Sequence, residues 1–483
     1  MAGIGFELKK LFRATGVLSV LKAYGYTGMV TAGPMLLGVF FLLGINTIGR
    51  LAGLSKDEQD ILVSMITYTL LGSMMVTSFF SMVMTRYVAD LLYQEKDELI
   101  LSSIEGIMCF ILPIGGVLWG VFLFFSGVDF TLGLFLFVLF LELETTWTLM
   151  NYLTAIKDYR GILLSYVYAI IVAMAVAYCL CRFYGASIHA LILSVGMGYG
   201  VMLCFDFSLL YKYFPNGKKD HFAFLPWFDE YFELAIIGFA TNFGLFAHLV
   251  IAWISDIGVN YMGLFYGAPQ HDVSALFAFI TILITTINFV ASVEVNFYPK
   301  YRKYYDLFNG SGSILEIEQA EKEMLTVLAH ELVYTARRQF YGTALMLSVG
   351  LVILGRLPLG FDALMEGYFR ILCVGYGAYA IGNVFMLILM YFTDYEDAAK
   401  SSLIFAFTTT AGSIFSMNLE SKYYGFAFAF GSIIYSIYAL FKLVRFTKRL
   451  PYHILSSQPI VAEAKYGLAT RLYELILKCK KEV

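Results

Sequence analysis

The chain has 483 residues, of which 59% are apolar and 14% charged, with a net charge of −3 and a mean hydropathy of +0.74. So little polar surface cannot cover that apolar mass in water, and disorder, collagen and disulfide scaffolds are equally excluded. A transmembrane barrel alternates apolar and polar residues, whereas here apolar residues run on for twenty positions and more, so the composition predicts an all-α polytopic membrane protein.

The N-terminus sets Ile4, Phe6, Leu8 and Leu11 beside Lys9, Lys10 and Arg13. This predicts an amphipathic cytoplasmic helix over 1–22 that leads into the first span. No small-residue cleavage site follows, so no signal peptide is expected. Twelve runs then match a hydrocarbon core about 30 Å thick: 23–48, 61–86, 104–126, 131–155, 161–182, 187–211, 232–255, 271–297, 339–356, 368–392, 400–418 and 423–444. Pro34 and Pro113 are expected to kink spans one and three.

Six spans fill 23–211, an N-lobe, and six fill 232–444, a C-lobe. Segment 212–231, with two prolines and polar residues, reads as the cytoplasmic linker, and 445–483 as a cytoplasmic C-terminal segment. The C-lobe span set is 24 residues longer than the N-lobe set, and the loop 298–338 is longer than its counterpart 87–103 by the same 24. The lobes thus read as parallel pseudo-repeats with one cytoplasmic insertion, 298–338. Within it, apolar residues at helical spacing over 314–338 predict an amphipathic helix.

Twelve spans leave both termini on one side. That side then holds 27 of the 33 Lys and Arg, and the other holds only Arg50, Lys56, Arg182, Arg356, Arg370 and Lys422. The positive-inside rule makes the basic side cytoplasmic. The basic amphipathic segments offer Lys9, Lys10, Arg13, Arg337 and Arg338 as candidate residues for docking protein partners. The net charge gives no reason to expect nucleic acid.

Catalytic signatures are absent. The sequence lacks G-x-x-x-x-G-K-[ST], D-x-D, H-E-x-x-H and G-x-S-x-G. The six cysteines have no metal-ligand spacing with histidine and read as small apolar residues. No enzyme activity, metal or cofactor is expected.

Ionisable groups inside a bilayer are costly and usually functional. Glu142 and Glu144 fall at the middle of span four. Thr148 and Asn151 follow Glu144 at i+4 and i+7 and share its face. Arg86, Asp206 and Glu294 sit near inner span ends, where they can also snorkel. Asn242 and His248 in span seven, with Asn288 in span eight, suggest a polar file in the C-lobe. These ten residues are the translocation-pathway candidates. The bland alternative is that such groups lock helices together. The 35 Tyr and 44 Phe fit aromatic belts at the interfaces and, equally, stacking on sugar faces.

Several segments carry a resemblance. They are the opening Met1-Ala2-Gly3-Ile4-Gly5-Phe6-Glu7-Leu8, Ala155-Ile156-Lys157-Asp158-Tyr159-Arg160, Asp272-Val273-Ser274-Ala275-Leu276, Glu294-Val295-Asn296-Phe297-Tyr298, and Tyr391-Phe392-Thr393-Asp394-Tyr395. Together they make the chain, up to about residue 460, resemble the PelG family of Pel exopolysaccharide exporters. That family is similar to the multidrug/oligosaccharidyl-lipid/polysaccharide flippase superfamily. The resemblance implies two six-helix lobes around a central cavity, in a bacterial cytoplasmic membrane. It also implies passage of a polymer rich in N-acetylgalactosamine and galactosamine for biofilm matrix. The partners implied are a cytosolic PelF-like glycosyltransferase and PelD-like and PelE-like membrane proteins. A partly deacetylated, cationic polymer gives Glu142, Glu144 and Glu294 a motive. Two other readings stay open: an ion-coupled exporter of drugs or lipid-linked oligosaccharides with the same fold, and a scaffold that only recruits the glycosyltransferase.

Overall fold

In hydrocarbon every backbone N–H and C=O must be paired within the chain, and a continuous helix does this for an apolar run. The computed structural model describes residues 17–156, 158–215, 217, 220–310, 312–356, 361–456 and 465–482; the side chains of 17–27, 29–32, 34, 35, 159, 290, 291, 294 and 480–482 lie outside the description. Helices make up most of the described chain. The expected helix over 1–22 falls largely outside it, with Lys9, Lys10 and Arg13.

The helices are α1 (Val17–Leu51), α2 (Lys56–Tyr93), α3 (Ile100–Phe125), α4 (Phe130–Ile156), α5 (Tyr159–Tyr184), α6 (Ile188–Tyr213), α7 (Leu225–Glu230), α8 (Phe232–Trp253), α9 (Pro269–Phe279), α10 (Ile282–Ser292), α11 (Tyr298–Asn309), α12 (Ile314–Leu345), α13 (Leu351–Leu354), α14 (Ala363–Tyr391), α15 (Tyr395–Ser416), α16 (Phe426–Thr447), α17 (Leu450–Ser456) and α18 (Leu468–Glu482). Among the described residues nine helices are long and apolar enough to cross a membrane. The expected spans 23–48 and 400–418 fall in α1 and α15, and 339–356 is divided among the end of α12, a π-helical turn over Met346–Gly350 and α13; none of these is among the nine, and in α1, Leu36–Leu51 is a shorter apolar stretch.

The chain divides into two compact units. One comprises Pro34–Phe243, Gly258–Gly267 and Val461–Val483; the other comprises Met1–Gly33, Gly244–Ile257 and Ala268–Ile460. In the first, here the N-unit, α5 and α6 meet along small residues. A methyl at Gly198 would lie 2.8 Å from Ala173 Cβ and 2.9 Å from Ala169 O. Small residues let membrane helices approach closely and gain dispersion contact, since lipid supplies no hydrophobic drive between them. Within the second, the C-unit, α14 packs on α16 in the same way: a Cβ at Gly375 or Gly382 would press on Phe428 or Tyr435, at 2.8 and 2.6 Å.

Three features depart from the sequence expectation. First, the expected span 271–297 is interrupted, although its Pro269–Phe289 stretch is counted among the nine. It becomes α9 and α10, then a π-helical turn over Val293–Phe297 before α11. Pro299 lies just beyond that turn and has no N–H to continue an α pattern, and its ring crowds the carbonyl four residues back. Second, α12 starts at a Ser313/Glu316 capping box and runs on through Arg338 to Leu345. The expected amphipathic helix and the start of the ninth span are therefore one rod, because no glycine or proline separates them before Gly342. Third, a hairpin, β1 (Val259–Met262) and β2 (Phe265–Gly267), pairs antiparallel with a bulge between Asn260 and Met262. Gly263 turns it with φ +55°, and a Cβ there would meet Ser126 O at 1.6 Å. The hairpin is held on α2 by Ser64, which donates to Tyr266 O at 3.3 Å, and by Tyr68 Oη, which accepts from Tyr266 N at 3.2 Å.

Candidate functional site

In the N-unit, α4 carries both mid-span carboxylates, and the fold sends them to different neighbours. Glu144 is fully buried and turns toward α3, where Gly115 leaves the space for its carboxyl. Glu142 turns toward α6, its oxygens 3.4–3.5 Å from where the Cβ atoms of Gly200 and Gly196 would be. They are two residues apart on a helix, about 200° round the axis, so one face cannot hold both. Among the described residues neither oxygen of Glu144, nor Glu142 Oε2, has a hydrogen-bond partner. Thr148 is buried on the Glu144 face, its hydroxyl donating to Glu144 O at 2.8 Å, and Asn151 is half-buried.

Around α4 lies a polar and aromatic lining. Trp147 Nε1 donates to Ser73 Oγ of α2 at 3.0 Å, and Ser103 of α3 and Tyr152 share a hydrogen bond of 2.9 Å. Trp119 stacks on Phe140 at 4.8 Å and on Phe122 at 4.9 Å. Asp206 on α6 is fully buried, and among the described residues neither of its carboxylate oxygens has a hydrogen-bond partner; Ser165 donates to Ile162 O at 2.8 Å. Arg86 is tied to Asp90 at 3.1 Å, with its guanidinium 5.2 Å from the Tyr231 ring centroid. Asn242 bonds back onto its own helix, donating to Gly238 O at 2.9 Å.

The C-unit does hold a polar file, with a different membership from the one expected. Glu331, Thr335, Gln339 and Thr343 recur every four residues on α12 and face Thr281, Thr285, Asn288, Ser292 and Asn296. Thr285 donates to Gln339 Oε1 at 2.6 Å, and Gln339 Nε2 donates to Thr281 O at 3.1 Å. Asn288 Nδ2 donates to Thr335 Oγ1 at 2.8 Å, and Asn288 Oδ1 accepts from Arg338 Nη1 at 2.8 Å. Ser292 and Asn296 both donate to the Glu331 carboxylate. The π turn aims Asn296 at it. Beside this end lies a cavity of about 630 Å³ lined by Asn296, Lys300, Thr326, His330 and Glu331, among others. Arg337 is exposed, while Arg338 lies over the Tyr334 ring at 4.4 Å. The side chain of Glu294 is outside the described residues.

His248 sits apart from Asn288. It is buried with His271 and Tyr376, the two imidazole centroids 5.3 Å apart and His248 Nε2 3.3 Å from Tyr376 Oη. Among the described residues His248 Nδ1 and both His271 nitrogens lack a hydrogen-bond partner. The sequence reading missed His271, Gln339 and Glu331. The i+4 recurrence 331, 335, 339, 343 was the available signal, hidden by placing the boundary between loop and span at 338/339.

Chemically, these sites offer buried hydrogen-bond acceptors and a continuous polar seam. Among the described residues no group of three or more His, Cys, Asp or Glu is placed to hold a metal ion. Buried carboxylates with unfilled lone pairs suit transient contacts with cations, amines or hydroxyls.

No curated protein matches the sequence. Solved structures match in fold. One is an outward-facing multidrug resistance MATE family transporter of the MOP superfamily, with TM-score 0.55 and 12% identity over 93% of this chain and 99% of that one. A second is a MOP superfamily transporter from Pyrococcus furiosus, with TM-score 0.56 and 10% identity over 92% and 98%. A third is a MATE transporter from Vibrio cholerae, with TM-score 0.60 and 10% identity over 92% and 98%. At such identities the likeness is one of fold, and it makes this a helical, multi-pass membrane protein with a MATE-like architecture. The family model described as "PelG: Putative exopolysaccharide Exporter (EPS-E)" matches residues 1–455. The opening octet and the interior segments that resembled this family therefore reflect its membership: the chain belongs to the PelG family.

Proposed function

We propose that the chain is the translocation subunit for a Pel-type exopolysaccharide, passing the polymer across the bacterial cytoplasmic membrane as a partner glycosyltransferase makes it. The observation that carries this reading is the family match over residues 1–455. In this reading the protein has twelve spans in two six-helix lobes, 23–211 and 232–444, joined by the linker 212–231, with both termini cytoplasmic. It is a transporter and not an enzyme, so synthesis belongs to its partners: a PelF-like glycosyltransferase and PelD-like and PelE-like membrane proteins. Arg337, exposed on α12, together with Lys9, Lys10 and Arg13, would contact them. A polymer with free amines needs acceptors along its path, and Glu142 and Glu144 supply them. The partner-bound complex, purified from native membranes and reconstituted in inverted vesicles with a UDP-N-acetylhexosamine donor, tests the reading. Polymer protected inside vesicles only when this chain is present supports it. Protected polymer made equally without the chain overturns it.

The MATE-like fold supports a second reading, ion-coupled export of a small molecule or lipid-linked oligosaccharide. Substrate-stimulated proton or sodium flux in liposomes containing this chain alone would favour it.

A further inference from the structure

The most strongly two-sided helix among the described residues is α18, and it lies beyond the 1–455 that the family model matches. One face docks on the N-unit: Ala469, Tyr473 and Ile476 pack against its core. The docking is pinned by Asp229 at the end of α7, whose carboxylate accepts from Gly467 N at 3.1 Å, Ala469 N at 3.3 Å, Thr470 N at 2.7 Å and Thr470 Oγ1 at 2.6 Å. Of these, Ala469 N and Thr470 N are donors of the first helical turn, which have no partner within the helix, and the dipole there favours an anion. Tyr473 Oη adds a bond to Asp220 at 2.8 Å.

These contacts fix the depth of α18. Trp227 of α7 donates to Asp90 at 3.0 Å, close to the end of α2 at Tyr93. Lys465 pairs at 3.6 Å with Glu233, in the first turn of α8. Both α2 and α8 are long and apolar enough to cross a membrane. Thus α18 lies level with the ends of spans, where hydrocarbon gives way to headgroups.

A second stripe on α18 is exposed among the described residues. Leu468, Leu472 and Leu475, at i, i+4 and i+7, are 82%, 40% and 58% exposed. They lie about 90–100° round the helix from the docked face. Arg471 and Lys478 are exposed on the side opposite the docked face, and from Lys465 onward the sequence has five basic residues against two acidic ones. Tyr466, 58% exposed, marks the start. Leucines on one side, basic residues on another and an aromatic at the end are the composition of a helix lying in a lipid interface.

We propose that α18 is an interfacial anchor: the Leu468–Leu472–Leu475 stripe inserts into the headgroup–acyl boundary of an anionic bilayer, and Asp229 holds the helix at that depth. Span ends adjoining the stripe favour lipid over a protein occupant, and the basic surplus complements anionic headgroups. The test uses the full chain, with its native cysteines replaced, in nanodiscs containing phosphatidylglycerol, with a nitroxide at Leu475→Cys or Leu468→Cys and a reference at Glu474→Cys. Collision with oxygen is expected to exceed collision with a nickel chelate at 475 and 468, with the preference reversed at 474. Nickel access at 475 and 468 equal to that at 474 overturns the proposal, because the stripe then faces water. Shielding from both reagents also overturns it, because protein then covers the stripe. Exchanging phosphatidylglycerol for phosphatidylcholine is expected to raise nickel access at 475; unchanged access removes the anionic-lipid part of the proposal.

Discussion

Gly115 of α3 and Glu144 of α4 occupy one space: a methyl at Gly115 would lie 1.7 Å from Glu144 Oε1 and 2.4 Å from its Cδ. The glycine is what admits a carboxyl at this depth. Gly115→Ala must displace the buried carboxyl or part the two helices, and overpacking of this kind costs about 1–3 kcal/mol. Thermal unfolding of the purified protein is expected to shift down accordingly. Glu144→Ala in the same background is expected to recover part of the loss, since it removes the group that clashes. Additive losses in this double-mutant cycle would mean that the contact does not set the position of the carboxyl.

Glu142 and Glu144 face different helices, so they are expected to act separately on export. Glu142→Gln and Glu144→Gln keep the shape and remove the charge. Loss of one charged contact to an amine costs on the order of tenfold in affinity, so each single variant is expected to lower polymer secretion and the double variant to lower it further. The measurement is secreted polymer in a strain with normal levels of the protein. Unchanged secretion in the double variant ends the idea of a carboxylate-lined pathway.

The polar seam between α10 and α12 makes a prediction about stability. Gln339 serves Thr285, the Thr281 carbonyl and Thr343, the last at 3.1 Å. Gln339→Leu leaves the buried Thr281 carbonyl and Thr285 hydroxyl without this partner, at a cost of about 1–3 kcal/mol. Thr285→Val added to it is expected to cost little more, because its partner is already gone. Equal and additive losses on thermal unfolding would show that the seam is a set of independent contacts.

The length of most spans was legible because hydrocarbon requires about 20 residues of helix and the chain supplies little else. Expected runs 131–155 and 161–182 meet α4 and α5 at 130–156 and 159–184. What apolar counting cannot see is a helix whose polar side is buried against another helix. Thr335 read as part of the cytoplasmic insertion and Gln339 as the start of a span, yet both lie on α12 and pair with Asn288 and Thr285, which looked like isolated polar residues in a span. His248 was visible as a lone histidine, but its neighbour His271 lies 23 positions away, and only the packing of α8 against α9 brings the rings together. The hairpin at 259–267 was hidden for another reason: it is too short to show periodicity, and Gly263 was its single turn signal.

Asp229 gives the remaining prediction, and it concerns pH. Burial pushes its carboxyl up, but the bonds from Thr470, Ala469 and Gly467 outweigh that and hold it below the ordinary value of 3.8. A group depressed in the folded state stabilises it above the unfolded value and loses that contribution as pH falls through the folded one. Attachment of α18 is therefore expected to be flat from neutral pH down to the ordinary carboxyl range and to weaken only below it. Asp229→Ala removes the acceptor at every pH, and loss of such a cap costs about 0.5–2 kcal/mol. Amide exchange of residues 468–478 is expected to accelerate in Asp229→Ala, while the native chain between pH 5 and 8 shows only the intrinsic dependence of exchange on pH. Protection unchanged by the substitution would show that Tyr473 and the apolar face hold the helix without the cap.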